Sequence, residues 1–230
     1  MSESQRKSQD QPRRRAYNSA RRAAQAAGTR ERIRAAAREC FLAHGFTNTR
    51  MRDVAERARV SEATLYLAFP TKAALLADVI RSAVRGPFPA TRLVESPQWQ
   101  TVVTAPTREL LPRFSVLIEG ILHEVAPLLA LGAAAASDDA DLLERQDHGR
   151  LSERATFRTL VETLHRRRAL APQLTLEQAT DIVYALASDA VYLRLTRDCA
   201  WSREQYVDWL ADTLDQGLRR GARSAKSRTR

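Results

Sequence analysis

Glycine, aromatic residues and cysteine are all scarce in this 230-residue chain, and each shortage narrows what it can be. Only 8 glycines, 6 phenylalanines and 5 tyrosines accompany an apolar set dominated by Ala and Leu. Ala and Leu rank high in helix propensity, whereas strands favour β-branched and aromatic residues, so the fold expected is all-α. Cys40 and Cys199 are the two cysteines, far apart and in no metal-like spacing, which leaves neither a disulfide framework nor a zinc motif. Among four histidines, His123 beside Glu124 and His148 four residues after Glu144 offer no third ligand at helical spacing, so no metal is expected. The chain lacks a nucleophile elbow, a phosphate loop and a dinucleotide fingerprint, so neither an enzyme nor a cofactor is expected. Its first residues, MSESQRKSQDQPRRRAYNSARR, contain no apolar core of a secretory signal. The longest nearly apolar run, VAPLLALGAAAA at 125–136, is short for a bilayer span. A soluble cytoplasmic protein with no membrane partner is the expectation.

What is abundant is arginine, unevenly placed. The formal charge is +10, from +5 over residues 1–28, +4 over 29–84, −5 over 85–218 and +6 over 219–230. A basic N-terminal third beside an acidic body suggests a polyanion-binding head on a body with another task. Basic tails that only aid solubility would give the same totals.

Residues 1–28 are polar and poor in large apolar groups, which predicts a disordered basic arm. From Thr29 the pattern turns helical: Ile33, Ala37 and Phe41 recur at four-residue spacing, with Ala36 and Cys40 on the same face. Gly45 is placed to stop this helix with a left-handed cap, and Phe46 to fold back on its last turn. Thr49 offers an N-cap for a short helix burying Met51, Val54, Ala55 and Ala58. Ser61 offers one for the next, with Leu65 and Phe69 inward, and Thr71 for a helix carrying Leu75, Leu76, Val79, Ile80 and Val84. The Pro-rich stretch 85–98 reads as the connection from a head domain at 29–84 to a body at 85–218. The body's expected helices run over about 107–136, with a break or kink near Pro127, then from Ser137 to about 168. A Thr175/Gln178 capping box opens 176–197, and Ser202 opens the last helix, which frays into a disordered basic tail at 219–230.

The stretch RDVAERARVSEATLYLAF, residues 52–69, has the requirements of a helix-turn-helix. It offers small apolar residues at the helix crossing, Val60 to plug the turn, and a second helix with an outward face of Glu62, Ala63, Thr64, Tyr66 and Leu67. A purely structural helical hairpin could show the same inner pattern. Arg59 stands where a turn glycine is usual; with φ above zero, a non-glycine residue there costs roughly 1 kcal/mol.

Residues 33–80 resemble the N-terminal domain of TetR-family transcriptional regulators. The likeness runs through Phe41, Gly45, Phe46, Thr49, Val54, Ala55, Ala58, Val60, Ser61, Thr64, Leu65, Tyr66, Phe69, Lys72 and Leu75. It implies a homodimer whose larger C-terminal domain dimerises and often holds a small-molecule effector, with double-stranded operator DNA as partner. It also implies roles: Thr49, Tyr66 and Lys72 on backbone phosphates, and Thr64 on a phosphate or base edge. Glu62, Ala63 and Leu67 face bases, and Arg50 and Arg52 reach backbone or bases; Arg59 and Ser61 complete the set at the turn. Where the family often has Lys-Gly at 62–63 and an aromatic or His at 67 or 68, this chain has Glu62, Ala63, Leu67 and Ala68. Glu can accept from a cytosine amino group, and Ala or Leu can touch a thymine methyl. Arg13, Arg14, Arg15, Arg21 and Arg22 of the arm could enter an adjacent minor groove, or form a solvated tail adding nonspecific affinity.

In the body, two broad apolar stripes suit a four-helix dimer interface: Ile182, Leu186, Ala190 and Leu193 on one helix, and Tyr206, Trp209, Leu210, Thr213 and Leu214 on the last. Both stripes could instead be intrachain core. Phe114, Leu117, Ile121, Phe157, Leu160, Leu164 and Tyr184 could line a ligand pocket or simply pack. The function these features support is a dimeric, ligand-responsive repressor binding a pseudo-palindromic operator. The alternative is a helical adaptor, tethered to nucleic acid by its basic head and docking a protein through its acidic body.

Overall fold

In the computed structural model the backbone is described for residues 3–86 and 92–220, and side chains for 21–86 and 92–219. Every regular element among them is helical, as the composition predicts. The chain divides into two compact units, residues 1–75, here the head, and 76–230, the body. That division falls within a helix, Lys72–Arg85, rather than in the expected connection at 85–98.

The first helix, α1 (Glu3–Asn48), begins well before Thr29. Its N-terminal part is rich in Ala, Arg and Gln, good helix formers that need no buried partner to favour the conformation, and residues 21–28 are exposed on every side. The arm is therefore helical over the residues expected to be disordered. Farther on, Ile33, Ala36, Ala37, Cys40 and Phe41 are buried on the expected face. At Gly45 (φ 79, ψ 169) the helix is interrupted by a backbone conformation open to glycine. Phe46 then stacks on Phe41 with ring centroids 5.8 Å apart. The head continues with α2 (Met51–Ala58), α3 (Glu62–Ala68) and the start of α4 (Lys72–Arg85), whose greater part belongs to the body.

In the body, α5 (Pro97–Val103) follows a Ser96 N-cap with Pro97 at its first position, an arrangement that favours helix initiation. This helix was not expected; it buries Trp99, whose indole meets Phe114 edge-on at 6.2 Å, and Phe114 in turn meets Phe157 at 5.6 Å. The long α6 (Thr107–Ala135) runs unbroken through Pro112 and Pro127. Burial of Val125, Ala126 and Leu128 around Pro127 holds the turn where a lost hydrogen bond would otherwise weaken it. Residues Thr107–Asp138 are long and apolar enough to cross a membrane by length and composition, more than the run at 125–136 suggested. Here they form the body's central helix, against which α5, α7 (Ala140–Arg166), α9 (Asp189–Leu193) and α10 (Arg203–Asp215) pack.

Asp139, not Ser137, caps α7. The Thr175/Gln178 capping box opens α8 (Leu176–Leu186) as expected. The single helix expected over 176–197 is interrupted after α8, because the Ser188 side chain accepts from the Val191 amide and starts α9 afresh. A π-helical turn at Arg194–Asp198 leads to α10, opened by the Ser202/Gln205 capping box.

Candidate nucleic-acid interface

Two helices of eight and seven residues are too short to be stable alone, so their ends and anchors decide their geometry. Met51, Val54, Ala55 and Ala58 of α2 are buried as the pattern predicts. Its N-cap is Arg50, with no side-chain bond, and not Thr49. Arg59 ends α2 in the left-handed region (φ 55, ψ 49). Its amide donates to the Glu56 carbonyl at 3.1 Å, and the Val60 amide donates to Ala55 at 3.0 Å. These two bonds close a Schellman-type cap of the kind glycine usually makes. Arg59 thus keeps φ above zero, and its strain is offset by two carbonyls satisfied.

Ser61 caps α3, accepting from the Thr64 amide at 3.1 Å, and the two hydroxyls lie 2.8 Å apart. Leu65 and, just beyond the helix, Phe69 are fully buried. Glu62, Ala63 and Thr64 are exposed, as are Tyr66 (47%) and Leu67 (89%). A leucine so exposed contributes little to the packing of this helix. Arg50, Arg52 and Arg59 are also exposed; Arg52 lies 3.7 Å from Glu56, a surface pair of little strength.

Of the residues assigned to phosphates, Thr49 lies away from solvent and Lys72 is partly exposed. Thr49 is buried, its hydroxyl 2.7 Å from the Gly45 carbonyl and 3.1 Å from that of Cys40. A hydroxyl has one proton to donate, so this side chain closes the kink after α1 and does not face solvent. The Lys72 ammonium donates to the Thr47 and Thr49 carbonyls at 3.0 and 3.1 Å and lies 4.6 Å from the Phe46 ring centroid. It holds the turn between α1 and α2.

Arg30 was not singled out in the sequence. From α1 it donates to the Ala68 carbonyl at the end of α3, at 3.1 Å, and its guanidinium lies 4.6 Å over the Phe69 ring. The pair is separated by 38 residues, so no local pattern signals it. Of the arm, Arg21 and Arg22 are exposed, while the side chains of Arg13, Arg14 and Arg15 lie outside the described residues. Burial pushes the Cys40 thiol pKa upward, consistent with a packing role.

The body's expected pocket is filled with its own side chains. Phe114, Phe157, Leu160 and Leu164 are fully buried in one core cluster, with Leu117, Ile121 and Tyr184 packed against it. Tyr206, Leu210 and Leu214 belong to the same cluster, so they serve this chain's core and are not free to face a second copy. A stripe read from sequence shows that a face is buried, not by what. Ile182, Leu186, Leu193, Trp209 and Thr213 are half-buried, and Ala190 is exposed.

Polar groups the sequence did not flag tie the body together. Glu119, 5% exposed, accepts a fork from Arg203 at 2.5 and 2.7 Å and a bond from the Tyr192 hydroxyl at 3.2 Å. Burial, then the Glu119 carboxylate, pushes the Tyr192 pKa up to about 12. A depression of about 320 Å³ opens here, lined by Val116, Glu119, Arg203, Glu204, Val207 and Asp208. A second, of about 500 Å³, is lined by Arg168, Ala169, Leu170, Pro172, Asp215 and Arg219. Neither is lined by the residues expected to form a pocket. Among the described residues, no group of three or more His, Cys, Asp or Glu could hold a metal ion.

Residues 33–79 match the model of bacterial regulatory proteins of the tetR family. That match makes the segment similar to the N-terminal domain of the TetR family. Solved structures share its fold along most of their length. The fatty acid degradation regulator FadR of Bacillus halodurans has a TM-score of 0.65 at 17% identity, covering 83% of this chain and 96% of its own. NalD of Pseudomonas aeruginosa, secondary repressor of the MexAB-OprM multidrug efflux pump, has 0.59 at 20%, covering 84% and 97%. A transcriptional regulator of Saccharomonospora viridis, in complex with choline, has 0.62 at 19%, covering 83% and 97%. No protein of curated function matches the chain significantly. The chain thus shares the fold of these regulators, and α2 and α3 lie within the segment that matches the tetR family model.

Proposed function

We propose that this protein is a regulator of the TetR type: a cytoplasmic, homodimeric one-component repressor that binds a pseudo-palindromic operator and responds to a small-molecule effector. The observation that carries the DNA-reading part is the outward face of α3. Glu62, Ala63, Tyr66 and Leu67 are exposed on a helix anchored by Leu65 and Phe69, the geometry a recognition helix needs in a major groove. Tyr66, Thr64, Arg50 and Arg52 supply phosphate contacts, which set register, while Glu62, Ala63 and Leu67 touch base edges. Dimerisation uses the half-buried Ile182, Leu186, Leu193, Trp209 and Thr213 with exposed Ala190, and leaves the core residues Tyr206, Leu210 and Leu214 in place.

Repressor action is supported by the printed role of NalD, and an effector by the choline complex of the S. viridis regulator. An effector that releases DNA must bind the DNA-free form more tightly, since the coupling is reciprocal. Enrichment of DNA from a random pool tests the reading. The expected result is a consensus of two inverted half-sites, one per protomer. Absence of any enriched sequence would favour the nucleic-acid-tethered adaptor.

A further inference from the structure

We propose that Arg30 is a positioning residue for sequence discrimination: from α1 it fixes the C-terminal end of the recognition helix, and it is not itself a phosphate ligand. The inference rests on the DNA-reading role of α3 proposed above. At its N-terminal end α3 is held by the Ser61 cap. At the other end the chain leaves the helix at Phe69 in extended conformation (φ −142, ψ 100). A helix C-terminus leaves carbonyls without intrahelical donors and carries partial negative charge. Arg30 meets both conditions, placing a cation there and donating to Ala68 at 3.1 Å.

The same guanidinium lies over the ring of Phe69, fully buried and the residue that anchors this end of α3. A planar group can stack on a ring and donate in its own plane, which an ammonium cannot do. Tyr66 and Leu67, both exposed, lie two and one residues before Ala68, so the tether acts on the end of the helix that carries them. The base contact of Leu67 is apolar and needs close approach, because a gap of about 0.5–1 Å forfeits a quarter to a half of the dispersion attraction. A small swing of this end therefore removes discrimination between sequences while leaving charge attraction to the phosphates intact.

The test uses the full-length chain and a duplex selected by the wild-type protein from a random pool, beside a scrambled duplex of equal length. A wild type that enriches no sequence overturns the DNA-reading role itself, before Arg30 is varied. Given an enriched duplex, Arg30→Gln and Arg30→Lys are titrated on both DNAs across a salt series. The expected result is a fall of about tenfold in the ratio of selected to scrambled affinity for Arg30→Gln, the loss of roughly one good base contact. Arg30→Lys, which keeps the charge and loses the stacked fork, lowers the ratio in the same direction. The slope of log affinity against log salt on scrambled DNA stays at the wild-type value in both. Equal weakening on the two DNAs, with the slope reduced by about 0.9 in Arg30→Gln, would show a phosphate ligand and overturn the proposal. An unchanged ratio in Arg30→Lys would overturn it too, and that variant decides alone if Arg30→Gln does not fold.

Discussion

Two cations of the head, Arg30 and Lys72, sit on backbone carbonyls in a unit that leaves Leu67 open to solvent, whereas the body buries the Glu119 carboxylate and forks Arg203 onto it. In the head, Arg30 and Lys72 reach the Ala68, Thr47 and Thr49 carbonyls, and Leu67 stands open to solvent. In the body, Glu119 gathers α6, α9 and α10 through Arg203 and Tyr192 beside a core containing Trp99, Phe114 and Tyr206. A surface meant for an external partner must be held from behind by groups that do not compete for that partner. An interior can hold a buried charge where that charge has partners, as Glu119 does in Arg203 and Tyr192.

Four substitutions sharpen this contrast, and because Trp99, Trp201 and Trp209 are all in the body, tryptophan fluorescence follows that unit. The largest effect is expected for Phe114→Ala, which empties a fully buried site between two edge-on rings and should cost about 3–5 kcal/mol in denaturant titration. Next, Arg203→Met leaves Glu119 buried without its fork. A loss of about 2–3 kcal/mol is expected, below that for a fully buried pair because Arg203 is half exposed.

Glu153 comes third. Burial, then the Asp189 charge, raises its pKa to about 7, above the usual carboxyl value. Between those values the folded state holds more protons than the unfolded, so this group makes stability fall as pH rises from about 4.3 to 7 and level off above. Glu153→Gln should remove that slope and leave the body roughly 1–2 kcal/mol more stable than wild type at pH 8, after allowance for solvent screening. Titration at pH 5 and 8 checks the sign. Smallest is Arg59→Gly, which relieves the positive φ and should stabilise the head by about 1 kcal/mol, read by amide exchange in α2. A fall in protection would mean that the Arg59 side chain, not its backbone, holds the turn.

The head was legible in the sequence because its signals are local. Apolar residues at helical spacing, Ser61 before a short helix and Phe46 after Gly45 each act within a few residues of themselves. The arm's helix escaped because low apolar content argues against packing, not against an exposed helix rich in Ala and Arg. Thr49 was given a phosphate role by likeness; in this chain it is buried and its hydroxyl closes onto a carbonyl of the kink at Gly45. In the body, helices and capping boxes were readable, but partners were not. Tyr206, Leu210 and Leu214 form a stripe that fits a dimer as well as a core, and only three-dimensional packing assigns it to the core. Contacts over long separations, Arg30 to Ala68 and Glu119 to Arg203, leave no trace in periodicity.

The exposed face of α3 as the reader of bases is tested most directly by parallel selections from one random pool, with wild type and with Leu67→Ala. Leu67 is 89% exposed, so its loss should change stability by less than about 0.5 kcal/mol. The expected result is a symmetric consensus for wild type, and for Leu67→Ala the same consensus relaxed at one position in both half-sites. Identical consensus sequences for the two proteins would contradict the assignment of this face to the major groove.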